Sequence, residues 1–258
     1  MLRIVTAFGV SGILAMGQAA PTPQQATVRV AAAADLQFAL DEVVARLARR
    51  QPAISVQPTY GSSGSLHAQL RQRAPYDVFL SADIDYPRDL VSRGVGSQRD
   101  LFTYAVGHIV VWLPAASPLP VERDGLRAVA GARRIAIANP RFAPYGRAAE
   151  AALRDAGVWS SVSGKIVLGE NVAQAAQFAQ SGAADVGIIA RSVAMAPVMR
   201  STGRFWEVPQ SSYPRLTQGG LILPWAISRD TAVRFRDYLL SDEGRQVLSA
   251  YGLGAPDK

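Results

Sequence analysis

Apolar positions along this chain alternate between two spacings. Short apolar runs of strand length are followed by longer segments whose apolar residues recur every three or four positions, the period of a helix. Residues 27–33 read as a strand. Leu36, Leu40, Val43, Val44 and Leu47 then share one helical face, with Asp35 expected as the N-cap. Residues 54–56 form the next strand and a helix follows from near Ser65 to about Arg73. Residues 77–80 are a short buried strand, and Pro87 sits in the first turn of a helix ending near Gly94.

The pattern then changes. Residues 101–113 are one long apolar stretch. After it come a strand at 134–138, an alanine-rich helix to Ala156 and a strand at 165–168. A helix capped by Asn171 runs to Gln180, and 186–190 are a further strand. A second long extended stretch runs from 205 to 223, and helices at 230–240 and 242–251 end the chain. Strands that alternate with helices imply an α/β fold with mostly parallel sheets, covered on both faces. The two long stretches divide it. The expected organisation is two α/β lobes joined by two crossings, with 27–103 and 211–258 in the first lobe and 104–210 in the second. Ligands of such folds lie at the carboxyl ends of strands, in the crevice between lobes.

The first residues stand outside this pattern. Arg3 precedes an uncharged apolar segment from Ile4 to Met16, and Gly17-Gln18-Ala19 supplies small residues for cleavage, so 1–19 read as a secretory signal peptide. No other segment approaches the length of a membrane span. With no cysteine there is no disulfide framework, thiolate metal site or lipid-anchoring cysteine. Together these point to a soluble periplasmic protein. Hydrophobic residues make up 49% and charged residues 18%, values of a globular chain. The net charge of +7 comes almost wholly from arginines, since only Lys165 and Lys258 are lysines. They are scattered, with no aromatic-interleaved stripe, and read as solvated helix faces rather than a nucleic-acid surface.

Four strand-to-helix junctions carry candidate chemistry. A helix start presents free N–H groups and about half a positive charge, and so suits an anion. In Tyr60-Gly61-Ser62-Ser63-Gly64, small and hydroxyl-bearing residues leave those donors unobstructed. Ala31-Ala32-Ala33-Ala34-Asp35 allows close backbone approach, or simply tight packing. Ala143-Pro144-Tyr145-Gly146 places proline where its missing N–H costs nothing. Glu170-Asn171-Val172 is a capped start that, taken alone, is mostly structural. Two junctions fall in each lobe. Four helix starts facing one cleft would hold an oxyanion with neutral donors, each charge-assisted bond being worth about 1.5–3 kcal/mol.

At these residues the chain resembles the periplasmic molybdate-binding proteins of ABC transporters. The likeness covers Val30-Ala-Ala-Ala-Ala-Asp-Leu36, Tyr60-Gly-Ser-Ser-Gly64, Ala74-Pro-Tyr-Asp-Val-Phe-Leu-Ser-Ala-Asp83, Pro144-Tyr-Gly146 and Ala184-Asp-Val-Gly-Ile-Ile189. It implies a two-lobed periplasmic binding protein fold, no enzymatic activity and no cofactor. The implied ligand is molybdate or tungstate, the implied partner a membrane permease, and the protein a monomer. The ligand-binding positions it implies are Asp35, Ser63, Tyr145 and Val172, with Ala190 where some members carry a tyrosine.

Two departures stand out. Asp35 occupies a position where a neutral donor is common, and a carboxylate facing a dianion would be repelled by several kcal/mol at an effective dielectric near 20. Asp35 is therefore expected to turn away, cap its own helix and offer only its N–H. Ala190 brings no hydroxyl, for which Tyr60 or Tyr145 is the expected substitute. Another tetrahedral oxyanion (sulfate, phosphate or chromate) is the alternative ligand. A metal ion held by Tyr60, Tyr145 and Tyr213 is a weaker one. An enzyme is disfavoured, because His67 and His108 lack a partner pattern and no nucleotide or nucleophile motif occurs.

Overall fold

A computed structural model describes residues 25–256, so the expected signal peptide lies outside the described residues. The strands are β1 Ala26–Ala33, β2 Ile54–Gly61, β3 Val78–Ser81, β4 Leu101–Gly107, β5 Ile109–Pro114, β6 Ile135–Ala138, β7 Ile166–Gly169, β8 Val186–Ala190, β9 Gly203–Glu207 and β10 Leu216–Ile222. The helices are α1 Gln37–Arg50, α2 Ser63–Arg71, α3 Asp85–Ser92, α4 Val121–Asp124, α5 Pro144–Asp155, α6 Trp159–Val162, α7 Val172–Gln180, α8 Arg191–Ala194, α9 Pro197–Thr202, α10 Arg229–Leu240 and α11 Asp242–Ala250.

Two five-stranded sheets result, in the orders β2-β1-β3-β10-β4 and β7-β6-β8-β5-β9. In the first, β1 pairs in parallel with β2 and β3, while β10 runs antiparallel to both its neighbours. The second repeats this scheme with β6 at its parallel centre and β5 as the reversed strand. Each reversed strand is the one that enters from the other lobe, β5 directly after β4 and β10 after β9. The fold is thus a two-lobed α/β architecture with two crossings, and within each sheet only the incoming strand opposes the rest.

The apolar runs become central strands because helices cover both faces. In the first lobe Val28, Val30, Val78 and Leu80 pack against Leu40, Val43, Leu47, Phe235 and Leu239 on one side. Ala31, Phe79 and Leu221 meet Leu66, Leu70 and Leu90 on the other. Burying each such side chain contributes about 1.5–3 kcal/mol. The second-lobe core is built on Trp112, Ile137, Ile188 and Leu153 and continues without a break into Ala33, Ala34 and Ala82 of the first lobe. The lobes therefore lie packed against each other at the ends of their central strands.

Several details differ from the pattern-based expectation. The apolar stretch at 101–113 is two strands, because His108 separates β4 from β5 and the chain changes sheets there. Residues 105–107 pair with β10, as 101–103 do, so the expected lobe boundary after residue 103 falls inside β4. Residues Tyr60 and Gly61 belong to β2, and α2 starts at Ser63, leaving Ser62 as the whole turn. Asp35 does not cap α1; it lies in a 3-10 turn, Ala34–Leu36, and no side chain caps either element.

Candidate functional site

Parallel strands of both lobes end at one small cavity. Ala33, Ala34 and Asp35 follow β1, Gly61, Ser62 and Ser63 follow β2, and Ala82 follows β3. The second lobe brings Ala143, Pro144 and Tyr145 after β6 and Asn171 and Val172 after β7. The space is about 10 Å³, room for about one compact group. Ser63, Tyr145 and Val172 are all buried, and no arginine, lysine or histidine lines the cavity.

Local chemistry explains which donors face it. A helix start carries N–H groups with no partner inside the helix. At α2, Ser62 Oγ accepts from Ser65 N–H at 3.3 Å and Gly64 N–H bonds the Phe142 carbonyl at 2.8 Å. At α5, Pro144 has no N–H and Gly146 N–H bonds the Ala143 carbonyl at 3.0 Å. At α7, Asn171 Oδ1 accepts from Ala173 and Gln174 N–H at 3.0 and 3.1 Å. Each start thus uses its other early donors, within the start or, for Gly64, across to the second lobe, and leaves one: Ser63, Tyr145 and Val172. Ser63 Oγ accepts from Ala82 N–H at 3.0 Å, which leaves its own proton to donate toward the cavity. Three N–H dipoles and a hydroxyl in one small space favour a small anion.

Gly146 shows how tightly this end is packed. A Cβ there would lie 2.1 Å from the Ala138 carbonyl oxygen, so only glycine lets α5 start against the end of β6.

Asp35 is 1% exposed. Its carboxylate turns into a buried network rather than toward its own helix. Oδ2 accepts from Tyr145 Oη at 2.9 Å and from Gln218 Nε2 at 2.6 Å, and Gln218 Nε2 also lies 2.9 Å from Tyr145 Oη. Oδ1 is buried with no partner. Burial pushes the Asp35 carboxyl up to about 6, against the pull of the Gln218 and Tyr145 bonds and its own N–H. Burial also drives the Tyr145 and Tyr104 hydroxyls well above their ordinary range, so both stay protonated.

Further contacts join the lobes around the cavity. Ser192 Oγ donates to the Asp35 carbonyl at 2.8 Å. At the rim, Arg147 pairs with Asp83 at 2.6 Å and donates to Tyr86 Oη at 3.0 Å. With the Gly64–Phe142 bond, these span from the centre to the outer edge.

Of the positions implied by resemblance, Asp35, Ser63, Tyr145 and Val172 are brought together. Ala190 ends β8 and starts α8 without lining the cavity. Tyr60 does not stand in for it, because its hydroxyl bonds Asp41 at 2.5 Å. Tyr213 Oη accepts from Ile109 N–H at 3.3 Å, so the three tyrosines do not converge as a metal ligand set would. His67 pairs with Asp89 at 2.8 Å on the surface of the first lobe. Gln218 and Ser192 escaped the sequence reading. The one available signal was an amide within the glycine-rich apolar strand Leu216–Ile222.

Two α/β lobes meeting over a small, donor-lined cavity define a solute-binding protein. The chain belongs to the bacterial extracellular solute-binding protein family, whose pattern matches residues 28–254. Its role is transport rather than turnover. It is 33% identical to the molybdate-binding protein ModA of Azotobacter vinelandii over 98% of this chain and 97% of that one. Identity to ModA of Rhodobacter capsulatus is 35%, over 75% of each chain. The solved Azotobacter vinelandii periplasmic molybdate-binding protein superposes with a TM-score of 0.83 at 29% identity, covering 89% of this chain and all of that one.

Proposed function

We propose that this protein captures molybdate or tungstate between its lobes in the periplasm and delivers it, as a monomer, to the membrane permease of an ABC transporter. The observation that carries this reading is the set of three helix starts, drawn from both lobes, each leaving one N–H at the same small cavity. Neutral dipoles stabilise a compact anion without a counter-ion whose own desolvation would have to be overcome. The named activity of the Azotobacter and Rhodobacter relatives supports molybdate. Among the described residues no helix is long and apolar enough to cross a membrane, which fits delivery to a separate permease.

Calorimetric titration of the mature protein with molybdate, tungstate, sulfate and phosphate tests this. Saturable one-to-one binding of molybdate or tungstate, tighter than the other two, is the expected result. No heat with either would sink the reading. A second reading, preference for a different tetrahedral oxyanion, is favoured by one observation: a carboxylate, Asp35, lines the cavity.

A further inference from the structure

The cage of donors contains one acceptor. Asp35 lines the cavity, its Oδ2 holds two donors, and its Oδ1 is buried with none. Among the described residues no cation pairs with it. Strand β10 presents Gln218 and β4 presents Tyr104, whose hydroxyl donates to the Ser81 carbonyl. Helix α5 presents Tyr145. Helix α8 presents Ser192, while its Arg191 pairs with Glu207. On α1, Asp41 is engaged by Tyr60. The α2 and α7 starts contribute only Ser62, Ser63, Asn171 and Val172.

An ionised Asp35 and a dianion in this closed space would repel each other, and Oδ1 would face ligand oxygens that are acceptors only. One proton removes both conflicts. On the reading that the cavity takes an oxyanion, the geometry points to a receptor that binds its anion together with one proton, held between Asp35 Oδ1 and a ligand oxygen. The proton comes from solvent when the anion is fully deprotonated, or arrives on the ligand when a hydrogen oxyanion binds. Either way the complex holds one proton more than a carboxylate plus a dianion: a solvent proton forms an O–H bond on Asp35 Oδ1 that donates to the ligand oxygen, or a hydrogen oxyanion brings its own O–H bond and donates it to Oδ1. The upward push that burial gives the carboxyl favours this. Tyr145 and Gln218 fix Oδ2 as the acceptor end, leaving Oδ1 as the end that carries the proton.

Calorimetry of the mature protein with molybdate, which is fully deprotonated near neutral pH, tests the inference in two buffers of different ionisation enthalpy. Uptake of about one proton is expected at about pH 8, with affinity falling about tenfold per pH unit above the carboxyl's own titration. Asp35→Asn carries a fixed N–H donor in place of the proton and should bind with no uptake and a flat pH profile. Asp35→Ser serves as a second variant with the same expectation, and the wild-type measurement decides even where neither variant folds. Wild-type binding without proton uptake, or uptake that persists in a variant, overturns the inference and leaves the proposed function intact. Failure of the wild type to bind molybdate, tungstate, sulfate or phosphate overturns the proposed function, and this inference with it.

Discussion

Tyr145 Oη, from the second lobe, donates a 2.9 Å hydrogen bond to Asp35 Oδ2 of the first. Both residues are buried, and Gln218 Nε2 braces the pair at 2.6 Å from the carboxylate and 2.9 Å from the hydroxyl. The contact is therefore a core hydrogen bond that happens to join two lobes. Its loss would leave buried polar atoms without water to replace it.

That makes Tyr145→Phe informative. The substitution keeps the backbone N–H at the cavity and removes only the hydroxyl. Molybdate affinity should fall by about 1–3 kcal/mol, the cost of a buried group left short of a partner. Titration calorimetry reads this directly.

Ser63→Ala should also cost about 1–3 kcal/mol of binding, because the Ala82 N–H loses its 3.0 Å acceptor and the cavity loses a hydroxyl donor. An unchanged affinity would remove the α2 start from the site.

The rim behaves differently. Arg147 and Asp83 are partly exposed, with side-chain accessibilities of 42% and 24%. Arg147→Ala should therefore weaken binding by less than about 1 kcal/mol, and the effect should shrink further at high salt. Affinities compared at low and high ionic strength check this.

Gly107→Ala reaches the network from behind, at Tyr145, without Gly107 itself lining the cavity. Its Cβ would lie 2.3 Å from Tyr145 Oη. Relief requires the hydroxyl or the strand to move, an overpacking cost of about 1–3 kcal/mol. Denaturant unfolding should show lower stability.

Asp35 also predicts a pH dependence of stability. Its carboxyl is raised from 3.8 to about 6 in the folded chain, so between those values the folded state binds more protons than the unfolded one. Stability contributed by this group is then present at low pH and lost as pH rises toward about 6, by at most about 3 kcal/mol. Above that the contribution is flat. In denaturant melts, the gain from Asp35→Asn should be larger at about pH 7.5 than at about pH 4.5.

The alternation of strand and helix was legible because central strands covered on both faces read as unbroken apolar runs, as at Val186–Ala190. The helix starts were legible because their signals are local: Pro144 as the first helical residue, Asn171 as a cap. Where a strand leaves one sheet for the other is not local. Residues 101–113 are apolar apart from Thr103 and His108, and nothing in their spacing marks His108 as the point of change. The fate of the Asp35 side chain was hidden for the same reason. Its partners lie 110 and 183 positions away, so a residue that looked like a helix cap became the centre of a buried network.

The single residue between β4 and β5 has a mechanical consequence. His108 is the shortest span joining the two sheets, and Gly107 beside it lies so near Tyr145 that a Cβ there would meet the hydroxyl at 2.3 Å. Hinge and lock thus share nearly one axis. For a given angle of opening, atoms near an axis travel less than atoms at the periphery. An opening about this point would part the Gly64–Phe142 and Arg147–Asp83 contacts before the Asp35–Tyr145 bond. Release would then be a two-stage event, in which water reaches the anion before the last bond between the lobes is broken.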